Sequence, residues 1–283
     1  MFMTMKASEF LRLAGSSLLA AGKMLALSRR TVGAARIAAG DRRLVILANG
    51  PSLRRTLAER SDFLGRTTTM CVNFMANAPE FSLIRPDYYV LADPHFFTGL
   101  SHENVKTLWD RISRADWPMT LFVPVTRRRR AAELLGKDSA VKLATFNFVG
   151  IDAFAWLEKI AFSSGWAMPR PRNVLIPALM IAIRAGFTDI YIAGADHSWL
   201  ETIRVDDDNN VVSVQPHFYN DSDAEKKRSV TEYKGYHLHD ILKSFYIAFN
   251  SYHQIARFAR SRGVNIYNST EGSYIDAFPR KKF

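Results

Sequence analysis

The chain has 283 residues, of which 48% are hydrophobic, and a formal net charge of +11. This length and composition suffice for one large core, and the single cysteine, Cys71, excludes a disulfide framework and a cysteine-rich metal site. The basic excess predicts an anionic partner. Because the basic residues are mostly spread out, we expect a phosphorylated substrate or an anionic membrane surface and no nucleic acid.

Residues 1–40 form a helix-prone, basic extension that is rich in leucine, alanine and serine. Lys6, Glu9, Arg12 and Lys23 interrupt it, so no uncharged stretch reaches the ~20 residues that a membrane span needs, and we expect no secretory signal. Two interpretations stay open: a helix lying on anionic headgroups, or a helix packed across the domain or against another subunit of a homo-oligomer. The composition of an organellar transit peptide is similar.

Residues 43–53 are predicted to form a strand, a tight turn and the start of a helix, with the short apolar run 44–47 as the strand. The turn consists of Ala48, Asn49, Gly50, Pro51 and Ser52. Such a turn presents backbone N–H groups and a positive helix end to a phosphate. The alternative to a phosphate site is a purely structural strand-to-helix turn capped by Asn49 or Ser52. The two common phosphate-binding motifs, the G-x-G-x-x-G dinucleotide fingerprint and the P-loop with its lysine, are not present in this stretch.

Polar residues follow each of the first three predicted strands. Asn49 follows the first strand, Asn73 follows residues 67–72, and Asp93 follows residues 86–92. The carboxyl ends of parallel strands share one edge of a sheet, where the ligand crevice forms. We therefore predict that these side chains share a binding site.

The middle of the chain is predicted to contain a fourth strand and two helices, the second of them buried. Residues 120–125 are predicted as a fourth strand, 143–148 are ambiguous, and 151–162 have a helical pattern. Asn173 is a good N-cap for a helix that is apolar almost all round. With Arg172 beside it, this N-terminus is a second predicted anion site.

A strand at residues 189–193 is followed by Gly194, Asp196, His197 and Ser198. This loop is expected at the same edge of the sheet. His197 is either a general base or a group that orients Asp196.

The last third contains a predicted hairpin, a lid and a final helix and strand. The acidic run 206–210 is predicted to be a solvent-exposed turn rather than a metal motif. His217 and Tyr219 follow the hairpin, and a lid is expected at about residues 200–240. The final helix is predicted to begin near His237 and His239. Asn268 and Thr270 follow the last strand, where ligands bind.

Several sequence blocks, taken in their order along the chain, resemble family 42 sialyltransferases over roughly residues 43–200. The blocks are the turn Asn49-Gly50-Pro51-Ser52-Leu53, the strand ending at Asn73, the loop at Asp93-Pro94, and the segment from Arg172 through Gly186-Phe187 to Gly194-x-Asp196. The first block also occurs in archaeal pterin pyrophosphokinases and related surface-polysaccharide proteins. Residues 194–200, 217–219 and 267–270 look most like that last group.

The resemblance implies a single Rossmann-like, doubly wound α/β domain at residues 41–283, with a mainly parallel sheet, a hairpin and helical lid, and the N-terminal helix outside it. It implies a glycosyltransferase that uses a CMP-activated sugar acid, of the sialic acid or Kdo type, in lipopolysaccharide or capsule synthesis. The acceptor would be a glycan or glycolipid, and no metal or other cofactor is expected. The protein would be cytoplasmic, or peripheral on the inner face of the cytoplasmic membrane.

By the same resemblance, the cytidine nucleotide would be held by Asn49, Gly50, Ser52 and Asn73, with Asp93 as a further contact. The family has a tyrosine where this chain has Ser198, so the phosphate role shifts to Tyr219 or His217. His239 lies nearest to the position of the family's base, with His217 and His197 as alternatives. Two other classes stay open: an ATP- and magnesium-dependent pyrophosphokinase acting through Asp93 and Asp196, and a non-catalytic polysaccharide-assembly protein.

Overall fold

The computed structural model describes residues 7–32, 42–213, 233 and 235–283. The ends of the N-terminal extension and about half of the predicted lid, residues 214–232 and 234, lie outside these residues. The strands are β1 (Arg43–Leu47), β2 (Thr69–Val72), β3 (Tyr88–Val90), β4 (Thr120–Pro124), β5 (Lys142–Phe146), β6 (Gly150–Ile151), β7 (Met168–Pro169), β8 (Asp189–Ala193), β9 (Arg204–Val205), β10 (Val211–Val212) and β11 (Asn265–Asn268). The α-helices are α1 (Ala7–Leu27), α2 (Leu53–Leu64), α3 (Glu80–Ile84), α4 (His95–Thr98), α5 (Glu103–Ser113), α6 (Arg128–Leu135), α7 (Ala155–Ser164), α8 (Leu175–Ala185), α9 (Trp199–Thr202) and α10 (Leu238–Ser261).

Seven strands form one parallel sheet in the order β11-β8-β1-β2-β3-β4-β5. The chain leaves β1 toward β2 on one side, and later returns to place β8 on the other side of β1. This reversal makes β1 and β8 the topological switch point, and the crevice outside their carboxyl ends is where such sheets bind ligands. The predicted Rossmann-like α/β fold is confirmed.

Both faces of the sheet are covered, which explains why its strands are continuous apolar runs. In β1, Leu44 and Ile46 pack into the core on one face, and Val45 and Leu47 pack into the core on the other. Helix α8 belongs to the first face, and all of its residues except Arg184 are buried. The predicted buried helix is confirmed, and Gly186 ends it in the left-handed region with φ 102°.

The structure differs from the sequence predictions in several segments. The ambiguous segment 143–148 overlaps β5, an edge strand that begins one residue earlier with the exposed Lys142. Helix α7 starts later than predicted because β6 pairs with β7 just before it. The sequence predicts a hairpin over residues 201–219 with its first strand from Thr202, but residues 201 and 202 belong to α9, and the observed strands are β9 and β10. The acidic run is a turn, as predicted, with the Asp206 carboxylate accepting hydrogen bonds from two backbone N–H groups.

The N-terminal helix α1 has 21 residues and lies against the domain through a narrow stripe that includes the buried Ser17 and Ala20. By length and composition alone it could also cross a membrane, and only 17% of its most apolar window is buried against the rest of the chain. After α1, Val32 exchanges hydrogen bonds with Thr145 of β5, so this segment covers part of the sheet edge.

Candidate functional site

Five neighbouring strands bring the predicted site residues to one edge of the sheet. Because the sheet is parallel, β3, β2, β1, β8 and β11 all have their carboxyl ends there, over a width of roughly 19 Å. Asn73, Asn49 and Asp196 follow β2, β1 and β8, respectively, at the centre of this edge. The structure therefore brings together the amides and the carboxylate that the sequence analysis selected.

Asn49 connects the ends of β1 and β2. Its side chain is only 7% exposed, and its Nδ2 donates a hydrogen bond to the Val72 carbonyl at 3.1 Å. This contact fixes the amide orientation and leaves Oδ1 buried without a hydrogen-bond partner among the described residues. A buried acceptor without a donor costs about 1–3 kcal/mol, and a ligand donor at this position would remove that cost.

Asn73, which directly follows Val72, has a second buried Oδ1 without a partner in the described part of the chain. Its backbone is left-handed, with φ 49°, a conformation that asparagine tolerates better than most residues. The Tyr89 hydroxyl holds this turn, because it donates to the Asn73 carbonyl and accepts from the Ala76 N–H. Asn49 and Asn73 therefore form a pair of open acceptors at the ends of adjacent strands.

The turns after β1 and β8 are in direct contact. The Gly50 N–H donates to the Gly194 carbonyl at 2.7 Å, and the Ser52 hydroxyl and N–H donate to the Asp196 carboxylate at 2.9 and 3.3 Å. A Cβ on Gly50 would collide with that carboxylate and lie 2.6 Å from the Gly194 carbonyl oxygen. Glycine is required here for close approach.

The Asp196 carboxylate occupies the N-terminus of α2, where the sequence analysis predicted a phosphate. There the carboxylate accepts the hydrogen bonds that Ser52 would offer to a phosphate, and the predicted phosphate contact stays a prediction. Burial raises the pKa of Asp196, and the hydrogen bonds from Ser52 oppose the shift. Pro51 is exposed just before α2.

A second cluster links His197, Tyr252 and Asn173. The Tyr252 hydroxyl lies 2.6 Å from His197 Nε2 and donates to Asn173 Oδ1 at 3.0 Å. Since the Leu175 N–H also donates to that oxygen, the amide orientation is fixed, and Asn173 lies two residues before α8 with Val174 at the N-cap position. Asn173 Nδ2 is buried without a partner among the described residues, and it is a donor suited to an anionic ligand. Arg172 beside it is exposed.

The chemistry of this cluster bears on the two roles that stay open for His197, general base and positioning group. Its ring packs 4.2 Å from that of Trp199, and burial lowers the pKa of His197 to about 3. A neutral imidazole with so low a pKa is a weak base at neutral pH, so His197 fits a positioning role better than the role of general base. Sequence reasoning missed Tyr252, because nothing distinguishes this tyrosine from its apolar neighbours inside α10.

Several predicted ligand contacts are engaged by the protein itself. Asn268 Nδ2 donates to the Ser273 hydroxyl and the Ile275 carbonyl, and its Oδ1 accepts from the Thr270 N–H. The Thr270 hydroxyl bonds the backbone of β8 and of Ala195. Both residues hold the segment after β11 in this way, and their predicted contact with a ligand stays a prediction. Asp93 is exposed, and its Oδ1 caps α4 through the His95 N–H at 2.8 Å.

The remaining catalytic candidates lie near α10 or outside the described residues. His239 is in the first turn of α10, its side chain is 77% exposed, and its Nε2 lies 3.4 Å from Asp240 Oδ1. His237 and Asp240 form a capping box at the same helix end. His217 and Tyr219 fall outside the described residues, and Ser198 precedes α9.

A groove of about 720 Å³ lies beside the candidate site, between α2 and the C-terminal segment. Ser52 and Thr270 line it together with Arg280 and Lys281. Within the described ranges, no group of three histidine, cysteine, aspartate or glutamate side chains is arranged to hold a metal ion.

The fold and the site define an α/β protein with polar side chains gathered at its switch point. No family model and no curated protein matches the chain. Among solved structures, it is similar to the MAf glycosyltransferase from Magnetospirillum magneticum AMB-1, with a TM-score of 0.52 and 13% identity. The match covers 97% of this chain and 41% of that chain, so this chain spans less than half the length of that protein. At this identity the similarity shows a shared fold.

Proposed function

We propose that this chain is a glycosyltransferase that binds a nucleotide-activated sugar at the carboxyl ends of β1, β2 and β8. The observation that carries the proposal is the pair of buried, unpartnered acceptors on Asn49 and Asn73 at the switch point. The fold likeness to a solved glycosyltransferase supports the same reaction class.

The donor in this proposal is a CMP-activated sugar acid of the sialic acid or Kdo type. The two open acceptors suit N–H and O–H donors, and cytosine offers an exocyclic amine while ribose offers two hydroxyls. Asn173 Nδ2 and the exposed Arg172 suit the carboxylate or the phosphate of the donor. The acceptor is a glycan or glycolipid, and the pathway is lipopolysaccharide or capsule synthesis.

In the proposed reaction, the glycosidic bond to CMP breaks and its electron pair leaves with the phosphate. The acceptor oxygen then forms the new bond to the anomeric carbon and loses its proton to a base. His239 is the proposed base, since it is exposed at the helix end nearest the predicted lid, and His217 is the alternative. Tyr252 and Asn173 hold His197 as a neutral positioning group, and donors aimed at the leaving phosphate supply much of the acceleration.

A thermal-shift panel of CMP, CDP, UDP, GDP and ATP, each with and without magnesium, tests this proposal. We expect CMP to raise the melting temperature most, with no requirement for magnesium. Stabilisation by ATP only with magnesium would contradict the proposal and favour a pyrophosphokinase. The absence of any nucleotide response would also contradict it and favour a polysaccharide-assembly protein.

The proposed base is tested by His239→Gln, which keeps a polar side chain but cannot accept the proton. We expect at least about a 100-fold loss of transfer rate with unchanged CMP affinity, because the base acts only on the acceptor. His253→Gln is the matched control, since His253 lies on the same helix and is half exposed beside Asp276. A normal rate in His239→Gln would remove His239 from the mechanism.

A further inference from the structure

Helix α1 exposes a line of leucines away from the domain. Leu11, Leu18 and Leu25 are seven residues apart, so they lie on one side of the helix, and their exposed fractions are 70%, 77% and 86%. The packed stripe of α1 includes the buried Ser17 and Ala20 and the partly buried Met24, which contacts the core. The domain is therefore packed against a different side of α1. Burying the exposed leucines would take a partner outside the described residues.

Helix α7 lies beside α1 and adds aromatic residues. The Phe10 ring contacts the Phe154 ring just before α7 at 5.5 Å, the Phe154 N–H donates to the Ser17 hydroxyl, and Ser28 donates to the Trp166 carbonyl after α7. In this second helix region the exposed apolar side chains are Trp156 (63%), Ile160 (53%) and Trp166 (53%). Tryptophan is favoured at the membrane–water interface, where its ring is partly buried and its N–H stays hydrated.

The charges around this apolar surface are mainly basic. Residues 7–32 contain Arg12, Lys23, Arg29 and Arg30 but only one acidic residue, Glu9. The exposed Lys159 adds a positive charge on α7. An apolar surface bordered by basic side chains complements an anionic lipid surface, because basic residues close to such a membrane are attracted to its headgroups.

We propose that α1 and α7 together form a docking surface for an anionic bilayer, on which the protein lies without crossing it. The leucine line and the tryptophans enter the interfacial layer, and the basic side chains contact the headgroups. A peripheral orientation follows from the contacts of α1 with the domain. Its Ser17 is buried, and its Arg12 forms an ion pair with Asp152 at 3.6 Å. A spanning helix would have to lose these contacts.

The test is co-sedimentation of the full chain with vesicles of phosphatidylcholine alone or mixed with phosphatidylglycerol. We expect binding to the mixed vesicles, weakened by salt. Leu18→Glu with Leu25→Glu should lower the partition coefficient about 100-fold, because two large apolar side chains no longer leave water. Leu83→Glu is the matched control, since Leu83 is 80% exposed on α3, and it should bind as wild type does.

A second variant, Trp156→Ser with Trp166→Ser, tests whether α7 takes part, and we expect at least a tenfold loss of partition. Equal partition of wild type and the leucine variant overturns the proposal, as does a wild-type protein that stays in the supernatant. Resistance of wild type to alkaline extraction would indicate a span and overturn it. So would a wild-type dimer that the leucine variant dissociates without loss of vesicle binding.

Discussion

Asn49 and Asn268 both lie at the carboxyl end of a parallel strand and are almost completely buried, yet their amides are in opposite states. All three of the hydrogen bonds formed by the Asn268 side chain are made to the segment that follows β11. The Asn49 amide uses its donor and leaves its acceptor open, and Asn73 beside it also has an open acceptor. The first arrangement holds the chain together, and the second is suited to a ligand. Asparagine at the carboxyl ends of two strands of one sheet therefore serves two purposes, and only the hydrogen bonds of each amide distinguish them.

The largest effect is expected from Asn268→Ala. This change leaves the Thr270 N–H and the Ile275 carbonyl without their buried partner, so the free energy of unfolding should fall by about 3–4 kcal/mol in urea denaturation. Asn265→Ala, three residues earlier in β11, is the control, since Asn265 is exposed and should change stability by under about 0.5 kcal/mol. Similar losses in the two variants would remove the structural role assigned to Asn268.

His197→Asn is expected to change how stability depends on pH. Because burial lowers the pKa of His197 to about 3 in the folded state, the unfolded chain holds an extra proton between about pH 3 and pH 6.5. Stability from this group is therefore lost as the pH falls through that window, by at most about 1.4 kcal/mol per pH unit. Asparagine suits the left-handed backbone of residue 197, which has φ 54°, and cannot bind the proton.

The measurement is urea denaturation of wild type and His197→Asn at pH 7 and pH 4. The variant should be less stable at pH 7, since it loses the contacts with Tyr252 and Trp199, but should lose less stability on acidification. His253→Asn, at a half-exposed position, is the control for replacing a histidine with asparagine. An unchanged slope in His197→Asn would show that the imidazole is not kept neutral by burial.

Gly50→Ala should have a smaller effect, located where the turns after β1 and β8 are in contact. The new methyl group displaces the Asp196 carboxylate and crowds the Gly194 carbonyl, so we expect a loss of about 1–3 kcal/mol in unfolding free energy. Gly22→Ala is the control with the opposite sign, because Gly22 has open space around it in α1 and alanine favours the helix. A neutral Gly50→Ala would mean that the two turns need not be in close contact.

The sheet was largely predictable because apolar runs such as 44–47 and 189–193 end at polar residues, and because α8 is apolar on all sides. The edge strand β5 was ambiguous, since Lys142 and Leu143 remain partly accessible and dilute the apolar pattern. Strands β6 and β7 have two residues each, too few for any periodicity.

The candidate site was predictable only to the level of which strand ends carry polar side chains. The contact of Asp196 with Ser52 joins residues 144 positions apart, and it depends on the crossover that places β8 beside β1. The Tyr252 hydroxyl reaches His197 and Asn173 from positions 55 and 79 residues away. No local pattern encodes such contacts, so the sequence could not show that Asp196 fills the helix end or that Thr270 is engaged internally.

The central claim is that Asn73 and Asn49 hold a nucleotide, and calorimetric titration of CMP into Asn73→Gly tests it most directly. Glycine suits the left-handed backbone at position 73 and removes only the side chain, so stability should change by less than about 1 kcal/mol. We predict about tenfold weaker CMP binding than in wild type, because one ligand hydrogen bond is lost. Asn265→Ala, at the amino-terminal end of β11 and so away from the candidate site, should bind CMP as wild type does. Equal CMP affinity in Asn73→Gly and wild type, or no CMP binding by wild type, would contradict the account.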